Sequence, residues 1–284
     1  MKPLALAMAL TLSAPAAADK APAPVVIRHG DVPLYDVYAW ERWGNFINAP
    51  AGSKTEIPYD AARLQVKVYT FPTGEVRAIR FNNAVRTHRH INQTDTVLYS
   101  WQAHRVQFVN DLAVVAGPGD FALHQKGVDH SGEEIRRGGG IDLEFVYFNP
   151  GRHNDPTGFW ALAKDNPVQS AAAWVEGGKP VEVIGDAAAK APAEAARYQV
   201  RIVDLPGFPS REMWLPKGAT VHSRDDARDR LMFVLEGKVR VATDGRDIDI
   251  GVEDAARAER GKDFAITALE DARLAQTSVP PAKP

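Results

Sequence analysis

His88-Arg89-His90-Ile91-Asn92-Gln93-Thr94-Asp95 and Gly119-Asp120-Phe121-Ala122-Leu123-His124-Gln125-Lys126-Gly127-Val128-Asp129-His130 are the stretches on which the reading of this chain turns. Five of the eight histidines fall between His88 and His130. His88 and His90 are two residues apart in a segment with strand character, so both imidazoles project from one face. His124 and His130 lie on a later strand or strand end able to pair opposite them. Neutral imidazoles converging from two strands offer a nitrogen face to a divalent cation and leave positions open for water or substrate.

The surroundings of these stretches are β-rich. Leu64, Val66 and Val68 alternate with Gln65, Lys67 and Tyr69, and Pro72-Thr73-Gly74 turns the chain into a second strand near Val76 to Phe81, the pattern of a hairpin with one buried face. Further strands are expected near Thr96 to Trp101, Val106 to Val109, Asp120 to His124 and Ile141 to Tyr147. After Asn149-Pro150-Gly151 the character changes. Asp155-Pro156 has the chemistry of a helix start, and short helices are expected over Phe159 to Lys164 and Val168 to Val175. Alternation returns from Tyr198, with Met232 to Leu235, Val239 to Ala242 and Ile248 to Ile250 set around Glu236-Gly237 and Asp244-Gly245.

Length and composition agree with a folded chain. The 284 residues exceed the roughly 150 of an average domain, which favours two. Apolar residues make up 45% and charged residues 25%, with 34 Lys plus Arg against 36 Asp plus Glu. A formal charge of −2 provides no basic field for nucleic acid. Cysteine is absent, which excludes disulfides, thiolate zinc sites and cysteine nucleophiles. Any metal must therefore be held by nitrogen and oxygen. Residues 1–18 read as a secretory signal, with Lys2, an apolar Leu4 to Leu12 core and Ala16-Ala17-Ala18 before Asp19. The apolar run is too short for a bilayer span, so a bacterial periplasmic or secreted location is expected.

The two histidine stretches resemble the motifs of the cupins, small double-stranded β-helix (jelly-roll) barrels. The first cupin motif is H-x-H, three or four residues, an acid, six residues and Gly; here His88-Arg89-His90 leads to Asp95 and then Gln102. The second is Gly, five residues, P-x-G, two residues, His, three residues and Asn; here Gly119 leads to Gln125-Lys126-Gly127, His130 and Glu134. Further along, Gly218-Ala219-Thr220-Val221-His222 begins a similar pattern, with Arg224 and Arg230 where a second His and the acid would stand and Phe264 for the last His. The whole resembles a bicupin: an all-β chain of two barrels joined by a short helical connection, with a metal-competent first barrel and a degenerate second. The expected division is a signal peptide over 1–18, the first barrel over 19–150, the connection over 151–197 and the second barrel over 198–284.

The resemblance implies His88, His90 and His130 as metal ligands, with Asp95 or, two residues earlier on the same strand face, Gln93 as a further one. The metal is Fe, Mn, Ni or Zn, left open by the donor set. Tyr99 and Trp101 share the parity of Gln93 and Asp95, and either line the same cavity or pack in an aromatic core. Glu134 and Glu144 are candidates for a general base near the metal, and Tyr99 with Glu134 form the candidate catalytic pair. The function implied is that of a metal-dependent enzyme on a small oxygenated molecule, leaning to a dioxygenase of an aromatic or hydroxylated acid. Lyase, decarboxylase and sugar isomerase activities remain alternatives, as does a non-catalytic periplasmic metal- or ligand-binding role. The two barrels pack on each other within one chain or the chain forms a homodimer; the sequence leaves both open.

Overall fold

The computed structural model describes residues 25–36, 64–81, 90–135, 139–148, 153–170 and 198–280. The signal segment, His88 and the 171–197 stretch of the expected connection lie outside them. Among the described residues, strands form two seven-stranded and two four-stranded antiparallel sheets, and the one helical element is a three-residue 3-10 turn, His29–Asp31. No helix there is long and apolar enough to cross a membrane.

The hairpin read from the sequence is present. Leu64–Phe71 pairs along its length with Gly74–Phe81, Phe71 opposite Gly74, so Pro72 and Thr73 make a two-residue turn. Gly74 is required there: a β-carbon would come within 2.3 Å of the Val146 carbonyl oxygen on the neighbouring strand. Gly74–Phe81 then pairs with Gly140–Tyr147, which pairs with Thr96–Ser100, which pairs with Phe121–His124. A four-stranded sheet of His90–Ile91, Asp129–Glu134, Arg105–Val109 and Leu112–Ala116 closes over one face of this sheet.

The second half repeats the plan. Gln199–Leu205, Phe208–Leu215, Ala272–Val279, Asp229–Glu236 and Ala255–Ala258 stand in the same order, and Thr220–Ser223, Phe264–Ala268, Lys238–Thr243 and Arg246–Gly251 form the smaller sheet. The large sheets of the two halves pack on each other within the chain. A single apolar cluster joins Tyr69, Tyr99, Phe121 and Phe145 to Val203, Leu205, Phe208 and Phe233. Tyr69 meets Phe233 edge-on at 5.6 Å between ring centroids. Burying each such aromatic ring contributes about 1.5–3 kcal/mol, so this junction has the character of a core and not of a sliding contact between separate bodies.

Each large sheet is also completed by a strand from elsewhere in the chain. Val26–Ile27, at the start of the described chain, pairs with Ala255–Ala256 in the second half. Gly158–Ala161, from the expected connection, pairs with Phe121–His124 in the first. The helix expected over Phe159 to Lys164 is therefore replaced by a strand and a turn at Leu162 to Asn166, and Val168 onward enters a strand, Gln169–Ser170, paired with Gln199 and Val200. The physical reason is tertiary: Phe121–His124 presents an open row of backbone groups that a strand satisfies and a helix does not, and this outweighs the local capping signal at Asp155.

Candidate functional site

Register assigns faces. On Thr96–Ser100 and Phe121–His124, the residues Val97, Tyr99, Phe121 and Leu123 belong to the core between the large sheets. By alternation Thr96, Leu98, Ser100, Ala122 and His124 turn the other way, toward the small sheet. From that small sheet Arg105, Gln107 and Val109 stand opposite Glu134, Gly132 and His130. Three layers of inward positions result, about 7 Å apart along the strands. The first holds His90, His130, Val109, Gly158, His124 and Thr96. The second holds Gly132, Gln107, Trp160, Ala122, Leu98, Glu144 and Arg77, and the third Glu134, Arg105, Ser100 and Asp142.

The first layer brings two imidazoles together. His124 is buried, and its ring centroid lies 4.6 Å from that of His130 at an interplanar angle of 57°. His90 is the Cα partner of His130 across the small sheet, so three of the histidine positions meet at one end of the first half. Among the described residues no group of three or more His, Asp or Glu side chains is assembled for a metal; His88 lies outside those residues, and of His90 only the backbone is described. The donor set that does meet, imidazole nitrogen with no thiolate in the chain, fits a divalent transition metal.

Beneath the imidazoles the interior is ionic. Arg105 donates to Asp142 at 2.8 Å, both buried, and its guanidinium lies 4.5 Å over the Phe81 ring. Gly132 makes room for it, since a β-carbon at that position would overlap the Arg105 guanidinium. Burial raises the Asp142 carboxyl above its usual range, and Arg105 opposes that. Glu144, in the layer next to the histidines, is pushed up to about 7 by burial, against the pull of Arg77 and Arg105. Arg77 lies 3.6 Å from its carboxylate. A buried carboxyl balanced near neutrality is suited to accept or return a proton.

Several expected residues stand elsewhere. Tyr99 and Trp101 face the core between the halves, and the Tyr99 hydroxyl donates to Glu212 at 2.7 Å. Tyr99 is thus a junction residue, on the opposite face of its strand from the histidines, because its parity follows Val97 and not Thr96. Asp95 also faces away: the Thr94 and Thr96 hydroxyls lie 3.3 Å apart on one side of the strand, while the Asp95 carboxylate accepts from the Lys126 N–H at 2.8 Å and contacts His153 Nε2 at 2.9 Å. Gln93 is exposed and donates to the Ile91 carbonyl. Glu134 is buried in the third layer, where its carboxylate accepts the His104 backbone N–H; it holds a turn, and Glu144 takes its place as the carboxyl nearest the histidine layer. His153, which neither motif contains, emerges as the partner of Asp95, a pairing 58 positions long that local pattern cannot reveal.

The second half has different groups at the same places. Phe264 pairs with Ser223 as His130 pairs with His90, so Val221 and Ser223 occupy the positions of His88 and His90, one residue from the His222 and Arg224 read from the sequence. Val221 and Phe264 are part of an apolar cluster in this half, beside which Arg230 is buried at the position of Thr96.

No family model and no curated protein matches the chain. Its structure is similar to that of AerE from Microcystis aeruginosa, with a TM-score of 0.60 at 9% identity over 76% of this chain and 92% of that one. It is similar to a salicylate 1,2-dioxygenase from Pseudaminobacter salicylatoxidans, with a TM-score of 0.53 at 11% identity over 87% and 83% of the two chains. It is also similar to the bacterial pirin YhhW from Escherichia coli, solved in complex with nickel(II), with a TM-score of 0.51 at 12% identity over 77% and 92%. Identities this low speak for architecture alone, and the chain has the cupin fold.

Proposed function

We propose that the chain is an exported bicupin enzyme whose first barrel binds a divalent metal through His88, His90 and His130 and acts on a small oxygenated molecule. The observation that carries this reading is the contrast between the two interiors at matched positions: His124, His130, Arg105 and Asp142 in the first half stand where the second half has Ala258, Phe264, Val239 and Leu274, with Arg230 a buried charge among the second half's mostly apolar side chains. A divalent metal held by His88, His90 and His130 would supply Lewis acidity there. The chain's own groups do the rest. Glu144, a layer below, takes the proton that a hydroxylated substrate releases on binding, and Arg77 holds the resulting carboxyl in place. The closed sheets exclude bulk water, which strengthens both effects.

Among such reactions the reading leans to oxygenation of an aromatic or hydroxylated acid, in keeping with the salicylate 1,2-dioxygenase among the similar folds, and the pirin solved in complex with nickel(II) is a similar fold that holds a metal. The test is elemental analysis of protein recovered from the periplasm, beside a His88→Ala/His130→Ala double variant, followed by oxygen uptake with salicylate, catechols, flavonols and keto acids. Metal in the wild type alone, with uptake on one of these, is the expected result. No metal above the double variant under any supplementation overturns the reading, and metal without uptake removes the dioxygenase lean. Amino-terminal sequencing of the same material is expected to begin at Asp19.

A further inference from the structure

We propose that His124 is itself a metal ligand, so that the first barrel offers four imidazoles where the cupin pattern has three and an acid. The inference rests on the metal reading above and adds to it a ligand from a strand that neither motif's histidines occupy.

Geometry is the first argument. An imidazole nitrogen bound at about 2.1 Å places its ring centroid roughly 3.2 Å from the ion, so two imidazoles about 90° apart, in adjacent positions of an octahedron, have centroids roughly 4.6 Å apart. The His124 and His130 centroids are 4.6 Å apart, and their planes are tilted by 57° and not stacked. His124 is 1% exposed, on a strand whose neighbouring residues Phe121 and Leu123 fix its ring inward by alternation.

The second argument is the acid. The Asp95 carboxylate is engaged by the Lys126 N–H and His153 and faces away from the interior, while threonines 94 and 96 stand on the inward side. Thr96 is the Cα partner of His124, so the nitrogen donor arises on the adjacent strand, beside the place the acid leaves without a carboxylate. The third argument is co-occurrence within the chain. In the second half the position of His130 is Phe264 and that of His124 is Ala258, both in the apolar cluster. The two imidazoles are present together or replaced together, as expected of one site.

The test uses Cu(II) and Ni(II) as probes on the full chain. Cu(II) electron paramagnetic resonance with nitrogen hyperfine resolution counts coordinated imidazoles, and competition titration reads Ni(II) affinity. His124→Ala is expected to remove one imidazole from the Cu(II) count and to weaken Ni(II) about 10- to 100-fold. Since the second half already carries alanine at this position, the variant is expected to keep the wild-type circular dichroism. His124→Gln, which retains volume, is expected to lose the same imidazole. A count unchanged in both variants overturns the inference and leaves the metal reading standing, even if affinity falls, because an outer partner of a ligand also lowers affinity. A wild type that binds neither probe overturns both.

Discussion

The two halves of the molecule share one strand order and differ in what fills them. At matched register His124 stands against Ala258, His130 against Phe264, Gly132 against Ile266, Glu134 against Ala268, Arg105 against Val239, Gln107 against Val241 and Asp142 against Leu274. Polarity is kept in places: Glu144 and Arg77 correspond to Gln276 and Arg211, Arg211 donates to Gln276 at 2.9 Å, and the buried Arg230 and Thr243 stand where the first half has Thr96 and Val109. The second half fills most of these positions with aliphatic side chains. Moving the Arg105 and Asp142 charges out of water carries a desolvation penalty that their attraction only partly offsets, and aliphatic side chains of similar volume do as well or better. The Arg105–Asp142 pair of the first half is therefore not explained by folding, and it lies beneath the imidazole pair.

Substitutions that exchange residues between the halves put this comparison at risk. The largest effect is expected from His130→Ala, which should abolish bound metal by elemental analysis. Phe264→Ala, at the same place in the second half, should leave metal content intact and lower unfolding free energy by about 3–5 kcal/mol. Next comes Asp142→Leu, which installs the second-half residue but strands the buried Arg105 guanidinium; a loss of about 3–5 kcal/mol in urea unfolding is expected. The double variant Arg105→Val/Asp142→Leu should recover most of that loss, and a double variant no better than the single would count against the matched interiors.

Glu144→Gln probes the retained polar stretch through pH. The folded state holds the Glu144 proton more tightly than the unfolded chain, with a pKa raised from 4.5 to about 7 by burial. Its contribution to stability is therefore full below the unfolded value and is lost as pH rises through the folded one. Relative to the variant, the wild type should lose about 3 kcal/mol between roughly pH 4.5 and 7. Parallel stability curves for the two proteins would place Glu144 in contact with water. The smallest effect is expected at the junction: Tyr99→Phe removes one donor from the buried Glu212 and should cost about 1–2 kcal/mol, with metal content and oxygen uptake unchanged. A lost activity there would return Tyr99 to the site.

Much of the architecture was legible before the fold was seen. Alternation in Leu64 to Phe81 and in Val239 to Ile250 is a local signal, because period two in apolarity follows from a strand with one buried face. The H-x-H spacing is equally local. What failed to show itself depends on partners far along the chain. Phe159 and Trp160 read as helix until the open edge at Phe121–His124 draws them into a sheet. For Tyr99 and Trp101 parity leaves cavity and aromatic core both open, and only the packing of the halves selects the core; for Asp95 the motif gives a position and not a face, because Thr94 and Asp95 precede the strand that begins at Thr96. The one-residue shift in the second half, from His222 to Val221 and Ser223, is invisible without the pairing of Ser223 with Phe264.

By itself the sequence determined that this chain is built of short strands, that nitrogen and oxygen alone are available to a metal, and that histidines 88, 90 and 130 stand at the spacing of the cupin motifs. Those are properties of composition and period, and composition and period are local. Only the tertiary structure decided which face each strand turns inward, and with it that Tyr99 joins the halves, that Asp95 looks outward to His153, and that His124 meets His130. A face is set by pairing register and by burial against a distant sheet, and a shift of one residue reverses it.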